Sequence, residues 1–313
     1  MIRSLRPTDV MHYLRFQKAD PVGCAVTCGG QPASSPGIGS FFNRSHGLYS
    51  PRPTWALFER GQISGIVSVN VGSGNAKWQI YHLLVDAGSG FRRVVRELLE
   101  HVSVTAAEDR VPVVHMRLDV SSPAVEPAID SRFVNFAEEV VYSLGPAGTE
   151  NPQPIEGIRR REPVDDLGLF RLICALRPAA ARQYEGLTLR EWQKIDGWSR
   201  APIGLRRFQV SSRRDFVVQI NDSLAGWIRV DRSRNTIRIE LDAEARAGID
   251  AVLEFARGQM DVKSRARWVV RDHQGWFGEE LERRGSLQVS SNFLLARPLA
   301  VRIAEPELAP MRA

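Results

Sequence analysis

The chain has 313 residues, of which 43% are hydrophobic and 25% are charged, a composition of folded globular proteins that excludes a disordered chain. The sequence contains no run of 18 apolar residues, which is about the length needed to cross a membrane. The amino-terminal segment lacks the apolar core of a secretory signal. Three cysteines cannot build a disulfide framework, so we expect a reducing, cytoplasmic setting.

The net charge of +6 comes from basic residues that are spread along the chain. Short arginine clusters occur at residues 159–161, 206–207 and 213–214. Such clusters are more often solvated surface and ion pairs than a nucleic-acid face, so nucleic acid is an unlikely partner. A nucleic-acid reading stays open only if these clusters meet on one surface.

In the first half, hydrophobic spacing and turn residues predict an ordered series of strands and helices. The series is a strand at 2–5, a helix at 10–18, hairpin strands at 55–59 and 63–70, a strand at 78–85, a helix at 91–108 and a strand at 111–120. Residues 21–53 are rich in Gly, Ser and Pro and predict a loop or short helices.

The second half repeats this pattern. Its predicted elements are a helix at 166–176, hairpin strands at 216–220 and 224–230, a strand at 236–241, a helix at 249–258, a strand at 268–271, a helix at 276–284 and a last strand at 289–296. Residues 177–213 carry no recognisable code, and residues 305–313 are expected to form a frayed tail.

Two sets of residues recur at a single offset of 156 positions. The first set is Ile2-Arg3, Pro7 and Asp9, which returns as Ile158-Arg159, Pro163 and Asp165. The second is Val85-Asp86, which returns as Leu241-Asp242. Two matches at one offset, in the same order of elements, predict a duplicated domain.

The boundary between the copies is predicted in the Gly-Pro-rich stretch GPAGTENPQP, at residues 145–154. We therefore expect domains at 1–152 and 153–313. Each should be an α/β layer (α+β in arrangement), with a mixed, mostly antiparallel sheet flanked by helices.

In each half, the order of elements resembles the GNAT acyltransferase superfamily. The resemblance rests on the opening Ile-Arg…Asp motif, on glycines in the hairpins (Gly65 and Gly226), and on a strand that runs through a Gly-containing turn into a helix, at residues 80–99 and 237–256. It implies two tandem GNAT-like domains and transfer of an acyl group, expected to be acetyl, from acyl-CoA. The implied acceptor is an amine on a small molecule or peptide.

In this family the pyrophosphate of acyl-CoA binds at the turn between the fourth strand and the next helix, where helix N–H groups favour anions. In the first half this resemblance implies the cofactor-binding residues Leu84, Val85, Gly88, Ser89, Gly90, Phe91, Arg92 and Arg93. In the second half it implies Arg246 and Gly248, with Glu244 and Asp250 opposing phosphate. We therefore favour the first half, with the alternative that neither half binds acyl-CoA.

Two side chains are candidate catalytic bases, since amine acylation needs a proton acceptor. His82 lies on the fourth strand of the first half, and Glu240 lies on the equivalent strand of the second half. The tyrosine acid common in the family is missing, because Leu281 stands four residues before Gly285. The alternative reading is a catalytically inactive tandem GNAT protein that acts as a binding scaffold.

No metal site is expected. Cys24, Cys28 and His46 lack a fourth ligand at useful spacing, so a plain loop is favoured over a metal centre.

Overall fold

The computed structural model describes residues 1–31, 53–71, 77–88, 90–145, 155–185, 188–195, 213–221, 223–260 and 265–300. The predicted boundary near residue 152, the cofactor candidate Ser89 and the tail at 305–313 lie outside the described residues. Within those residues, no helix is both long and apolar enough to span a membrane.

Every element that was predicted in the first half is present. The strands are β1 (Ile2–Ser4), β2 (Val22–Gly23), β3 (Thr54–Glu59), β4 (Gln62–Val71), β5 (Trp78–Val85), β6 (Val113–Asp119) and β7 (Val134–Leu144). The helices are α1 (Val10–Lys18), α2 (Phe91–Glu108) and α3 (Val125–Asp130). The predicted series did not include β2, α3 or β7, and β2 and α3 are too short to show a period.

The second half follows the same order. Its strands are β8 (Ile158–Arg160), β9 (Arg213–Ile220), β10 (Ser223–Asp231), β11 (Thr236–Leu241), β12 (Ala266–Arg271) and β13 (Leu287–Pro298). Its helices are α4 (Asp166–Leu176), α5 (Ala179–Glu185), α6 (Leu189–Ile195), α7 (Ile249–Gly258) and α8 (Gly275–Arg283). Helices α5 and α6 fall within residues 177–213, for which the sequence predicted no element.

The strands of the described chain form one mixed sheet, which confirms the predicted α/β fold with a duplicated, mostly antiparallel arrangement. The order is β1-β3-β4-β5-β6-β13-β7-β12-β11-β10-β9-β8, and β2 pairs with β5. At the centre, the last strand of each half pairs with the next-to-last strand of the other half. Strand β13 pairs with β6, and β7 pairs with β12. The two halves therefore complete one another's sheet.

Each half buries one face of its sheet under a long helix. Val94, Val95 and Leu98 of α2 are buried in the first core, and Val252 and Leu253 of α7 are buried in the second. These residues recur at helical spacing, which places them on one face of each helix.

The repeated opening motif forms the same contact in both halves. Arg3 makes two hydrogen bonds to the carboxylate of Asp9, at 2.6 and 2.7 Å. Arg159 does the same to Asp165, at 2.8 and 2.6 Å. In each copy a backbone N–H, that of Arg6 or Glu162, also donates to the aspartate at 2.8 Å. The matching geometry supports duplication.

We expect Asp9→Asn to lower the free energy of unfolding by about 1–3 kcal/mol, because it removes a charge-assisted pair from a buried acceptor. Asp165→Asn should cost a similar amount. Asp20→Asn is the control, since Asp20 is exposed and should change stability by less than about 0.5 kcal/mol. Urea denaturation measures all three. Equal effects for Asp9 and Asp20 would contradict the stabilising role of the pair.

Candidate functional site

In each half, two neighbouring parallel strands pair with each other only over a short stretch. Strands β5 and β6 pair at residues 78–79 with 114–115, and β11 and β12 pair at 236–238 with 267–269. Beyond these pairs the facing backbone groups need other partners. We call the two places the N-terminal cleft, between β5 and β6, and the C-terminal cleft, between β11 and β12.

The N-terminal cleft is occupied by the chain itself. Strand β2 pairs with residues 84–85 of β5, and the Cys24 N–H donates to the Leu83 carbonyl at 2.8 Å. On the other side, Ala25 bridges to Leu118 of β6, and the Val26 N–H donates to the Arg117 carbonyl at 3.0 Å. Residues 22–26 therefore pair with both walls of this cleft.

In the C-terminal cleft, the corresponding part of the strand edge is not covered by a described strand. After Arg238, no described strand pairs with the side of β11 that faces β12. The Leu241 carbonyl instead accepts a hydrogen bond from the side-chain amide of Gln274, at 3.2 Å. A side-chain amide can rotate away from its acceptor, whereas a paired strand cannot leave without breaking several bonds.

Beside this edge, Glu240 and His273 form a buried pair. His273 Nε2 lies 3.1 Å from Glu240 Oε2, and their side chains are 6% and 1% exposed. The other ring nitrogen of His273, Nδ1, lies 3.6 Å from Asp272 Oδ1. Asp272 is held in turn by the backbone N–H of Glu138, at 3.2 Å. The imidazole is thus fixed between two carboxylates.

The neighbouring charges shift the pKa values of Glu240 and His273. Burial opposes ionisation of Glu240, but the charges of Arg177 and His273 outweigh it and lower its pKa to about 2. Burial opposes the charged form of His273, but hydrogen bonds to Asp272 and Glu240 outweigh it and raise its pKa. At neutral pH Glu240 is a carboxylate with little tendency to accept a proton, and His273 is the group that can exchange one.

A second buried carboxylate joins the two halves. Glu139 of β7 is fully buried and contacts Arg117 Nε at 2.9 Å, Arg238 Nη2 at 3.0 Å and Arg271 Nε at 3.6 Å. Burial opposes ionisation of Glu139, but the three arginine charges outweigh it and lower its pKa. These arginines come from β6, β11 and β12, so a single carboxylate ties together strands of both halves.

Glu185, at the end of α5, extends the same network. Its carboxylate contacts Arg177 and lies 2.9 Å from Arg271 Nη1. Arg177 Nη2 also lies 3.3 Å from Glu240 Oε1. The network therefore runs without a break from Glu139 to His273.

Glu240 is the one member of this network that was predicted from the sequence. The available signal was a charged residue within an otherwise apolar strand, such as Glu139 in VNFAEEVVYSL or Arg271 in ARWVVR. Alternation along a strand would have placed these charges on one face. This alternation could not predict that charged side chains from four different strands contact one another.

The other candidate base, His82, lies on β5, one wall of the N-terminal cleft. It is 4% exposed, and its Nδ1 is hydrogen-bonded to the hydroxyl of Ser68 on β4. It faces away from Leu83 and Val85, which pack in the core beneath α2. Its role as a base stays a prediction.

The other cofactor candidates of the first half take part in contacts within the chain. The backbones of Leu84 and Val85 pair with β4 and β2. Gly90 caps α2, and Phe91 begins it and packs against the core. Gly88 precedes that cap.

The two arginines of this turn are also paired. Arg92 forms an ion pair with Glu126. Arg93 bridges Glu59 and Glu97, at 2.5 and 2.7 Å. An entering phosphate would compete with these carboxylates for both arginines.

In the second half, Gly248 caps α7 and an added Cβ there would meet no atom within 4 Å. The guanidinium of Arg246 lies over the ring of Trp276, 4.4 Å from its centre. Asp250, which was expected to repel phosphate, forms an ion pair with Arg284. That pair offsets one of the two acidic charges near this turn.

The remaining features of the sequence fall in separate places. Among the described residues, no group of His, Cys, Asp and Glu could hold a metal ion, and His46 lies outside them. Arg159 and Arg161 form ion pairs with Asp165 and Asp166, and Arg213 lies 3.4 Å from Asp215. The cluster at 206–207 lies outside the described residues.

The structure aligns with a GCN5-related N-acetyltransferase from Sphaerobacter thermophilus, with a TM-score of 0.53 and 14% identity over 96% of this chain and 97% of that chain. It aligns with a functionally unknown conserved protein from Staphylococcus epidermidis with a TM-score of 0.52 and 10% identity, over 81% and 96%. No family model and no curated protein matches the sequence. The chain therefore has the fold of a GCN5-related N-acetyltransferase along nearly its whole length, and a fold alone does not define a reaction.

We expect the pKa of His273, measured by NMR titration, to lie above the ordinary value of about 6.5. Glu240→Gln should lower this pKa, because it removes a charge that favours the imidazolium. The charged form stabilises the fold at pH below about 6.5, and this contribution is lost as the pH rises through the higher folded-state pKa.

Glu244→Gln is the control for this titration, since Glu244 is exposed on the neighbouring turn and should leave the His273 pKa unchanged. A His273 pKa at or below the ordinary value would show that the two carboxylates do not hold the ring as described.

We expect Glu139→Gln to lower the free energy of unfolding by about 3–5 kcal/mol, because it leaves the buried Arg117 and Arg271 and the half-buried Arg238 without their shared carboxylate. The adjacent Glu138→Gln is the control, because Glu138 is exposed. Chemical denaturation measures the free energy of unfolding of both variants. A loss no larger than that of the control would mean that the network does not hold the halves together.

Proposed function

We propose that the protein is an acyl-CoA-dependent N-acyltransferase, with acetyl as the expected acyl group, and that the acyl donor binds in the C-terminal cleft. One observation carries the proposal. Beyond Arg238, the edge of β11 that faces β12 lacks a strand partner in the described chain, and this edge lies beside the Glu240–His273 pair. This proposal places the donor in the second half, whereas the sequence patterns favoured the first half.

The chemistry of the donor suits this edge. The pantetheine arm of acyl-CoA is an extended chain with amide groups, and extended chains pair with exposed strand edges through backbone hydrogen bonds. Gln274 would release the Leu241 carbonyl for such pairing. The pyrophosphate would lie at the start of α7, where Gly248 leaves space and the helix N-terminus favours an anion.

When bound, acyl-CoA supplies an activated thioester, and the chain has to hold it and manage protons. Glu240 is suited to orient His273 rather than to accept a proton, because its pKa is about 2. His273 is suited to carry a proton near neutral pH. His273 would supply the proton transfer that a tyrosine provides in many members of the family.

The acceptor is an amine on a small molecule or peptide, as amine acylation by this fold class requires. A binding role without catalysis is the second candidate, and the observation that favours it is the close ion pairing of Glu240 with Arg177 and His273.

Calorimetric titration with acetyl-CoA tests the proposal. We expect micromolar binding that Gly248→Glu abolishes, because a carboxylate at the start of α7 would repel the pyrophosphate. Gly90→Glu is the matched control at the start of α2 and should leave binding unchanged. Absence of binding up to millimolar acetyl-CoA would overturn the enzyme proposal and favour a scaffold.

A further inference from the structure

We infer that residues 22–26 are a built-in strand that takes the place of the acyl donor in the N-terminal cleft. The first half then binds no acyl-CoA, and each chain binds one donor in the second half. The inference rests on the proposed function for the second half, but its central claim concerns a contact that can be measured without any ligand.

The pairing of this segment matches what an extended ligand would make. On one wall it pairs with residues 84–85 and with the Leu83 carbonyl. On the other wall it pairs with Leu118 and the Arg117 carbonyl. A donor could reach these backbone groups only after the segment had left, because each group already has its hydrogen-bond partner.

The side chains of the segment also belong to the protein interior. Cys24, Ala25 and Val26 are 1%, 3% and 8% exposed, and Cys24 and Ala25 form part of the core beneath α2. Burial raises the pKa of the Cys24 thiol to about 12, so the thiol stays protonated and apolar in character. Leaving the cleft would open this core to water, which opposes displacement.

The segment is also anchored to the second half. Arg267 of β12 donates to the Gly29 carbonyl at 2.9 Å, and Arg238 Nη2 lies 3.3 Å from Cys28 Sγ. Gly29 and Gly30 have positive φ angles of 103° and 69°, which glycine adopts readily. Displacing residues 22–26 would strain or break these contacts across the junction.

The second half lacks this device in its described chain. After α4 the chain enters α5, which packs on β7, and Glu185 at its end reaches Arg177 and Arg271. The segment that follows the first helix therefore fills a cleft in one copy and completes a charge network in the other. This difference assigns separate roles to two copies of one fold.

Amide hydrogen exchange read by NMR, with and without acetyl-CoA, tests the inference. In the free protein, we expect the Cys24 and Val26 amides to exchange as slowly as those in the middle of β4, to within about tenfold. Saturating acetyl-CoA should not accelerate them, and calorimetry should give one donor per chain, lost in Gly248→Glu and kept in Gly90→Glu.

Fast exchange of Cys24 and Val26 in the free protein, or acceleration by acetyl-CoA, would overturn the inference, as would two donors per chain. If no donor binds but both amides exchange slowly, the proposed function fails while the built-in strand is supported. If one donor binds and its binding is lost in Gly90→Glu instead, the second half is not the donor site and the inference fails with it.

Discussion

The structure depends on one buried carboxylate at the centre of a shared sheet. Glu139 lies on β7, which runs between β13 and β12, and it contacts arginines from three other strands. Desolvating four charges is unfavourable unless they are paired in good geometry. That requirement holds β6, β7, β11 and β12 in one arrangement and makes the network a device for specifying how the halves meet.

The exchange of terminal strands gives this network its position. Because β13 lies beside β6 and β7 lies beside β12, side chains from both halves face one another across a few strand spacings. The same junction carries Glu240 and His273 at the mouth of the C-terminal cleft, and the anchored turn at Gly29 leads back to the N-terminal cleft. Joining the halves and separating their roles are thus consequences of one topology.

Duplication followed by divergence accounts for the contrast between the clefts. Both halves keep the Arg-Asp contact at the start, the glycine hairpin and the strand that leads into a helix. They differ in the segment after the first helix, which pairs as a strand in the first half and forms α5 in the second. Loops tolerate change more readily than the elements that they connect, so the difference arose where the fold allowed it.

The sequence by itself determined the duplication, the order of the long elements and their buried faces. The local spacing of apolar residues such as Val94 and Leu98 predicts the buried face of a helix. The motifs at Arg3 and Arg159 repeat at one offset and indicate the duplication. Only the tertiary structure decided the strand exchange, the occupied cleft and the Glu139 and His273 groups. These depend on contacts between residues far apart in the chain, such as Cys24 with Leu83 and Arg117 with Glu139, and no local pattern encodes which distant partner each will meet.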